Sequence, residues 1–402
     1  MEEIEIYKMD HQGRGIGKIN NLIVFVPNTL AGELVKIKVV KVKKKYLEGK
    51  VEEIILPSKD RVKSPCLYYD ECGGCNLLHL GYQNQLKYKE ELVKDVFDRY
   101  CNQKDIIINN IVSDEQFYYR NKVTFHVKNK MGFYKNETNS IIPIKKCLLL
   151  NEKINYILES IEKNLDLKDI TKIIIRCGFK EIMVIFETKK QLNLKFLEDK
   201  VNSIYLKNIQ YNKIYGSDQI IEKINDYSFL ISPDAFFQVN TKVATKLYDK
   251  IIELGQFKKN ETVLDLYCGT GTIGIYLSKY VKSVIGIELN NNAIKDALLN
   301  RKINNINNID FVNGDVGEIL SCKKLNADAV IVDPPRSGLS KNALNHIRRI
   351  SSDKIIYVSC DVNTLVRDLN LLNDLYEIIS VTPFDMFPNT RHVECVCLLK
   401  LK

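Results

Sequence analysis

Apolar runs in this 402-residue sequence, such as Ile173–Ile175 and Ala329–Val332, are far too short to cross a bilayer. The opening residues, MEEIE, have neither the basic start nor the apolar stretch of a secretion signal. There is no internal repeat and no low-complexity segment; Asn304–Asn308 is biased but brief. These absences exclude a membrane-spanning or exported protein and predict a cytoplasmic one. Hydrophobic residues at 45% and charged residues at 27% predict a soluble globular chain. Its length predicts two or three domains. In a reducing compartment, the 11 cysteines are not expected to form disulfides. They read instead as metal or cluster ligands, nucleophiles and core residues.

The net charge of +9 is concentrated rather than spread. Lys36–Lys45 reads KIKVVKVKKK, with six lysines in ten residues. Such a run suits a polyanion, or equally a solvated strand edge. Residues 1–56 alternate apolar and polar in short runs, Glu3–Lys8, Asn21–Val26, Glu33–Val42 and Leu47–Ile55. Glycines and Pro27-Asn28 separate the runs, which predicts a small β-barrel. Residues 58–80 read as irregular, and Gln83–Tyr100 as a helix. Short strands and helices mix over 105–230. From 242 onward helices and strands alternate in the rhythm of an α/β doubly wound sheet.

Val263–Gly274 reads VLDLYCGTGTIG: a strand, then a glycine-rich turn that opens a helix. The turn lets a ligand lie against the backbone. Glu288 ends the next strand and suits two ribose hydroxyls. Gly269, Gly271 and Gly274 also satisfy a dinucleotide pattern, so this piece does not separate NAD from S-adenosylmethionine. Asp315, after a third strand, suits the adenine side. Asp333-Pro334-Pro335-Arg336 ends a fourth strand. Motifs of this type belong with nucleic-acid base methyltransferases and leave an NAD oxidoreductase unsupported.

Methylating carbon 5 of uracil needs one thiolate and one base beside a methyl donor. Cys360 lies in IIYVSCDVNTL, just past a predicted strand, on the same sheet edge as Asp333. Glu394 is an isolated acid at the start of the last strand, in RHVECVCLL. Alone, Cys360 reads as a buried thiol and Glu394 as a surface acid; together they fit the chemistry. Cys395 and Cys397 read as core, and Cys101, Cys177, Cys268 and Cys322 as buried thiols. Cys66, Cys72 and Cys75, spaced C-x5-C-x2-C, suggest an iron–sulfur or metal site, with zinc an open alternative. Cys147 is the candidate fourth ligand.

DLYCGTGTIG, DPPRSGL, YVSCD, RHVE and FFQVN resemble the RNA uridine-5 methyltransferases over nearly the whole chain. That resemblance implies Cys360 as nucleophile and Glu394 as base. It implies S-adenosyl-L-methionine contacts at Gln238, Tyr267, Gly269, Gly271, Glu288, Asp315 and Asp333. Several members carry Asn at the position of Thr272, so no contact is assigned there. It also implies a [4Fe-4S] cluster on Cys66, Cys72, Cys75 and Cys147. GRGIGKINNLIVFVPNTLAGELVKIKV resembles a TRAM domain, an OB-like barrel that contacts RNA phosphates. The expected domains are a TRAM barrel over 1–57, a cluster-bearing α+β domain over 58–229 and a Rossmann-like methyltransferase domain over 230–402. Members with both barrel and cluster usually modify 23S ribosomal RNA, which makes that RNA the expected partner of a monomer. Transfer RNA is the alternative. RNA cytidine-5 methylation is disfavoured because Arg336, not a cysteine, follows Pro335. A non-catalytic RNA-binding factor would not need both Cys360 and Glu394.

Overall fold

The computed structural model describes residues 1–136, 138–323 and 325–402. Two units separate by their internal contacts. Met1–Leu92, Phe133–Ile142 and Phe387–Arg391 form the first; Val93–Gly132, Pro143–Met386 and His392–Lys402 form the second. Among the described residues, no helix is long and apolar enough to cross a membrane.

The first unit begins with β1 (Glu2–Ile6), β2 (Lys8–Met9), β3 (Gly15–Ile19), β4 (Leu22–Val26), β5 (Glu33–Val42) and β6 (Tyr46–Leu56). They form one sheet in the order β1-β5-β6-β4-β3-β2. The alternation read from the sequence sends Ile4, Ile6, Val24, Val26, Val35, Ile37 and Leu47 into a shared core. Lys38, Lys41 and Lys43–Lys45 remain exposed where β5 runs into β6. Residues 58–80 are turns and bridges, and α1 (Tyr82–Tyr100) follows.

The second unit carries β7 (Ile107–Ile108) and β8 (Lys122–Lys128). β9 (Lys130–Tyr134) and β10 (Ile141–Pro143) mark where the chain leaves and re-enters it. Next come α2 (Glu152–Asn164), β11 (Ile170–Cys177), β12 (Ile182–Thr188), β13 (Ser203–Lys207) and β14 (Tyr211–Gly216). β8, β11, β12, β13 and β14 lie side by side in that order. β15 (Ile220–Ile224) and β16 (Tyr227–Ile231) form a hairpin ahead of α3 (Thr241–Gly255).

The remaining elements are β17 (Thr262–Leu266), α4 (Thr272–Leu277), β18 (Ser283–Glu288), α5 (Asn291–Ile303), β19 (Ile309–Asn313), α6 (Val316–Cys322) and β20 (Ala329–Val332). After these come α7 (Lys341–Ile350), β21 (Lys354–Ser359), α8 (Val362–Leu372), β22 (Tyr376–Phe384) and β23 (Glu394–Leu401). The sheet order is β19-β18-β17-β20-β21-β23-β22-β7. β17 to β21 pair in parallel, and β23 runs antiparallel to β21 and β22. Both faces are covered, so β20 and β21 read as continuous apolar runs. Cys101, Cys177, Cys268, Cys395 and Cys397 are buried as expected, but Cys322 is exposed. It ends the seven-residue α6, whose inward face is spent on Val316, Gly317 and Leu320. Two residues past Leu320, a helical side chain points away.

In the first unit, buried Glu33 accepts hydrogen bonds from the Leu30 amide at 2.8 Å and from Arg61 Nη2 at 2.9 Å. Burial alone would raise its pKa. The Arg61 guanidinium and the Leu30 and Ser58 amides outweigh that and hold it below the usual value. Its contribution to stability is therefore full above the unfolded-state pKa and lost as pH falls through the folded one. Arg61→Ala leaves this carboxylate buried without its cation. We expect a loss of about 3 kcal/mol, read as a lower urea midpoint at neutral pH.

Candidate active site

β21 delivers Cys360 to the carboxyl-terminal edge of the sheet. Ser359 Oγ donates to the Asp361 carbonyl at 2.9 Å and accepts from the Asp361 amide at 3.2 Å, turning the chain there. Asp361 then caps α8 through the Asn363 and Thr364 amides. Cys360 is left half-buried in the turn between strand and helix. The antiparallel register pairs Ser359 with Cys395. Cys360 follows Ser359 out of β21 and Glu394 precedes Cys395 at the start of β23, so both reach the same sheet edge, where Glu394 acts on the Cys360 thiol.

Glu394 is buried, and its Oε2 has no hydrogen-bond partner among the described residues. Burial first, and then Asp333, push its pKa up to about 8 against the opposing pull of Arg336. Burial likewise lifts Asp333 to about 7. The Cys360 thiol is pushed up by burial, then by Glu394 and Asp333, while Arg336 favours the thiolate. These four groups therefore feel one another's charge.

The glycine-rich turn lies on the same edge. Tyr267 leaves β17 with φ +64°, an uncommon and strained value for an aromatic residue. Its amide donates to the Ile287 carbonyl at 2.9 Å. Gly269 has φ +54°, with nothing within 4 Å of where a Cβ would stand, so the turn is open to a ligand. At Gly271, φ +78° and a Cβ position 2.7 Å from the Phe311 ring admit only glycine. The Gly269 amide donates to Glu288 Oε2 at 3.1 Å and the Asn290 amide to Oε1 at 2.7 Å. These bonds fix the carboxylate while leaving lone pairs for sugar hydroxyls. Asp315 caps α6 by accepting from the Glu318 amide. It also raises the pKa of the Tyr267 hydroxyl, after the larger effect of burial. Gln238 is buried, and its carbonyl accepts from Asn121 Nδ2 at 3.1 Å.

The open turn, the held Glu288 carboxylate and Asp315 together fit a nucleoside cofactor. Two further residues belong here. Asp265 takes the Gly274 amide on Oδ2 at 2.9 Å, while Oδ1 has no partner among the described residues. Burial lifts it to about 7. Tyr248, buried on α3, donates to Thr272 Oγ1 at 3.4 Å and lies within the fields of Asp333, Glu394 and Asp265. An isolated acid in an apolar strand marks Asp265 as it marks Glu394. Tyr248 falls on the buried face of α3, so its spacing reads as core.

Cys66, Cys72 and Cys75 lie in the irregular segment of the first unit, half-buried and outside any disulfide. Burial and then Cys66 raise the pKa of the Cys72 thiol. Cys147 belongs to the second unit, where Asn155 brackets it, accepting from its amide at 2.9 Å and donating to its carbonyl at 3.1 Å. The donors suit soft-metal or iron–sulfur chemistry. Among the described residues, however, no three His, Cys, Asp or Glu side chains gather as a metal site.

The sequence profile described as tRNA (Uracil-5-)-methyltransferase matches residues 188–322 and 315–402, and that of the TRAM domain matches residues 2–51. An uncharacterized RNA methyltransferase of Clostridium tetani is 38% identical, over 97% of this chain and 94% of its own. One from Staphylococcus aureus is 35% identical, over 99% and 97%. A solved structure, the Pyrococcus abyssi tRNA (uracil-54, C5)-methyltransferase in complex with S-adenosyl-L-homocysteine, aligns with a TM-score of 0.83. It shares 28% identity, over 99% of this chain and 100% of that one.

Because Glu394 adds to burial in raising the pKa of the Cys360 thiol, Glu394→Gln should speed alkylation of Cys360 by iodoacetamide at pH 8. Peptide mass spectrometry reads the rate. An unchanged rate would mean that the two groups are not coupled.

Proposed function

The chain belongs to the S-adenosylmethionine-dependent tRNA (uracil-5-)-methyltransferase family, and we propose that it methylates carbon 5 of a uridine in 23S ribosomal RNA through a covalent Cys360 adduct. The observation that supports the mechanism is the β21–β23 register, whose last pair, Ser359 and Cys395, stands next to Cys360 and the buried Glu394 at one edge of the sheet. S-adenosylmethionine, when bound, supplies the electrophilic methyl group on its sulfonium. Gly269, Gly271, Tyr267, Glu288, Asp315, Gln238 and Asp333 would hold it. The Cys360 thiolate adds to carbon 6 of uracil, and the displaced pair makes carbon 5 nucleophilic. Once carbon 5 is methylated, Glu394 removes its proton. The double bond re-forms as the carbon–sulfur bond breaks, returning the thiolate. Arg336 favours the thiolate, and burial keeps Glu394 a base strong enough for a carbon acid.

In this reading the chain works as an RNA-contacting barrel over 1–57, a cluster segment over 58–229 and a methyltransferase segment over 230–402. The TRAM domain together with the cysteine triplet supports ribosomal RNA. The likeness to the Pyrococcus enzyme favours a second reading, uridine 54 of transfer RNA. Unmodified 23S ribosomal RNA and transfer RNA, each incubated with labelled S-adenosylmethionine, separate the two. Label as 5-methyluridine in ribosomal RNA alone supports the first, and label in transfer RNA alone overturns it.

Cys360→Ala should abolish methylation of either RNA. Glu394→Gln should slow turnover by about 10²–10⁴-fold and accumulate a protein–RNA adduct that survives denaturing electrophoresis. In the wild type, kcat/KM should rise with pH through about 8, because Glu394 must lose its proton to act as the base. A profile flat from pH 6 to 9 would exclude Glu394 from that role.

We also assign Cys66, Cys72, Cys75 and Cys147 to a [4Fe-4S] cluster, on the spacing and on three half-buried thiols outside any disulfide. Protein purified without oxygen should hold about four iron and four sulfide per chain, and Cys72→Ser should lose both. Zinc in their place would overturn the assignment.

A further inference from the structure

On the second unit, Lys122 of β8 and Arg176 of β11 are direct cross-strand partners. Like charges so placed repel, and a sheet rarely gains from the arrangement. Arg176 is 3% exposed, and its charge is engaged. Nη1 donates to the Ser232 carbonyl at 2.8 Å and Nη2 to the Ala235 carbonyl at 2.6 Å. It thus pins the segment that runs on through Phe236 to Gln238. Lys122 is half-buried, and its Nζ has no hydrogen-bond or ion-pair partner among the described residues. Arg120 stands two residues before β8, where it bridges to Leu150, and its charge acts on Lys122. Its Nε donates to the Lys122 carbonyl at 3.0 Å, and its Nη groups bond to nothing among the described residues. Against these three cations stand two carboxylates: buried Asp296, which acts on Arg176 and is already bonded by Ser232 Oγ at 2.6 Å and Gln219 Nε2 at 2.9 Å, and exposed Asp234, already bonded by Asn292 Nδ2 at 2.8 Å. Burial, then Arg176 and Arg120, pull the Lys122 ammonium down to about 8. An external anion would offset that repulsion.

We propose that Arg120 and Lys122 form a phosphodiester-binding subsite for the substrate RNA, backed by the structural Arg176. The proposal rests on the reading of this protein as an RNA methyltransferase and adds where the backbone beside the target nucleotide is gripped. The chemistry is that of an oxyanion, taken by a forked guanidinium and a point-charge ammonium. Asn121 ties the cations to the active edge, because its amide donates to the Val239 carbonyl at 2.9 Å and its Nδ2 to the Gln238 carbonyl. A cofactor carboxylate is the other oxyanion within this chemistry. The surroundings favour RNA: Phe236 is 66% exposed in the segment pinned by Arg176, and aromatics beside cations suit a nucleic-acid strand.

The test is the salt dependence of binding to fluorescein-labelled oligouridylate, followed by anisotropy over a potassium chloride series. S-adenosylhomocysteine binding is measured alongside by calorimetry. Lys122→Gln and Arg120→Gln should each flatten the slope of log K against log salt by about 0.7, the value of one released phosphate contact on a single strand. S-adenosylhomocysteine affinity and the thermal midpoint should hold, and Lys122→Arg should restore the slope. Cys360→Ala should keep the wild-type slope whether or not the protein methylates RNA, so failure of the catalytic reading leaves this measurement intact. Unchanged slopes in both Gln variants would overturn the proposal. So would weaker S-adenosylhomocysteine binding with RNA affinity unaltered.

Discussion

The reversed direction of β23 is the constraint on which the candidate site depends. In a wholly parallel sheet, every strand arrives at the carboxyl-terminal edge with its last residue, and only the loops beyond carry chemistry. Here β23 lies between β21 and β22 and runs the other way, so it starts where its neighbour ends. Its first residue, Glu394, therefore enters the edge from a rigid strand, near the residue that leaves β21. Glu394 is set by the backbone pairing of β23, and Cys360 sits one residue beyond the paired strand, in the turn to α8. A slip of one residue would turn Glu394 to the other face of the sheet.

That precision comes with local instability. Asp265 and Glu394 are buried and Asp333 half-buried at one end of the sheet, and Asp265 and Glu394 each keep an oxygen without a partner among the described residues. A core selected only for stability would pair such groups or replace them. Tyr267 adds a strained backbone at the same edge. The strain and the unmet polar atoms cluster where a cofactor and a base would meet. Of the parallel strands beneath them, β20 is apolar and buried throughout and β21 is buried past its first residue, and their packing tolerates the burden.

Much of the methyltransferase fold was legible because its strands are short apolar runs that end in marked turns. Thr262–Leu266, Ser283–Glu288 and Lys354–Ser359 fall where the spacing predicts them. Glu394 stood out as a lone acid among apolar residues, and Cys360 as a cysteine just outside a strand. What periodicity cannot carry is strand direction, so the meeting of residues 360 and 394 at one sheet edge emerges only from the topology. Tyr248 was hidden because a buried tyrosine that faces the acids repeats with the same spacing as its apolar neighbours. Cys322 misled because a seven-residue helix is too short to reveal which face turns inward. The cysteine spacing was plain in the sequence, yet spacing alone does not bring ligands together.

The first unit is assembled from three pieces of chain that are far apart in sequence. Lys89, with a fully buried side chain, donates from Nζ to the Phe387 carbonyl at 3.1 Å. Gln85 accepts from the Asn389 amide at 3.1 Å across a separation of 304 residues. During synthesis β1 to β6 can pair early, but the partners of Lys89 and Gln85 are made 298 and 304 residues later. The unit must wait, with a lysine and a glutamine prepared for a segment that does not yet exist. Its completion thus reports that translation has passed Arg391.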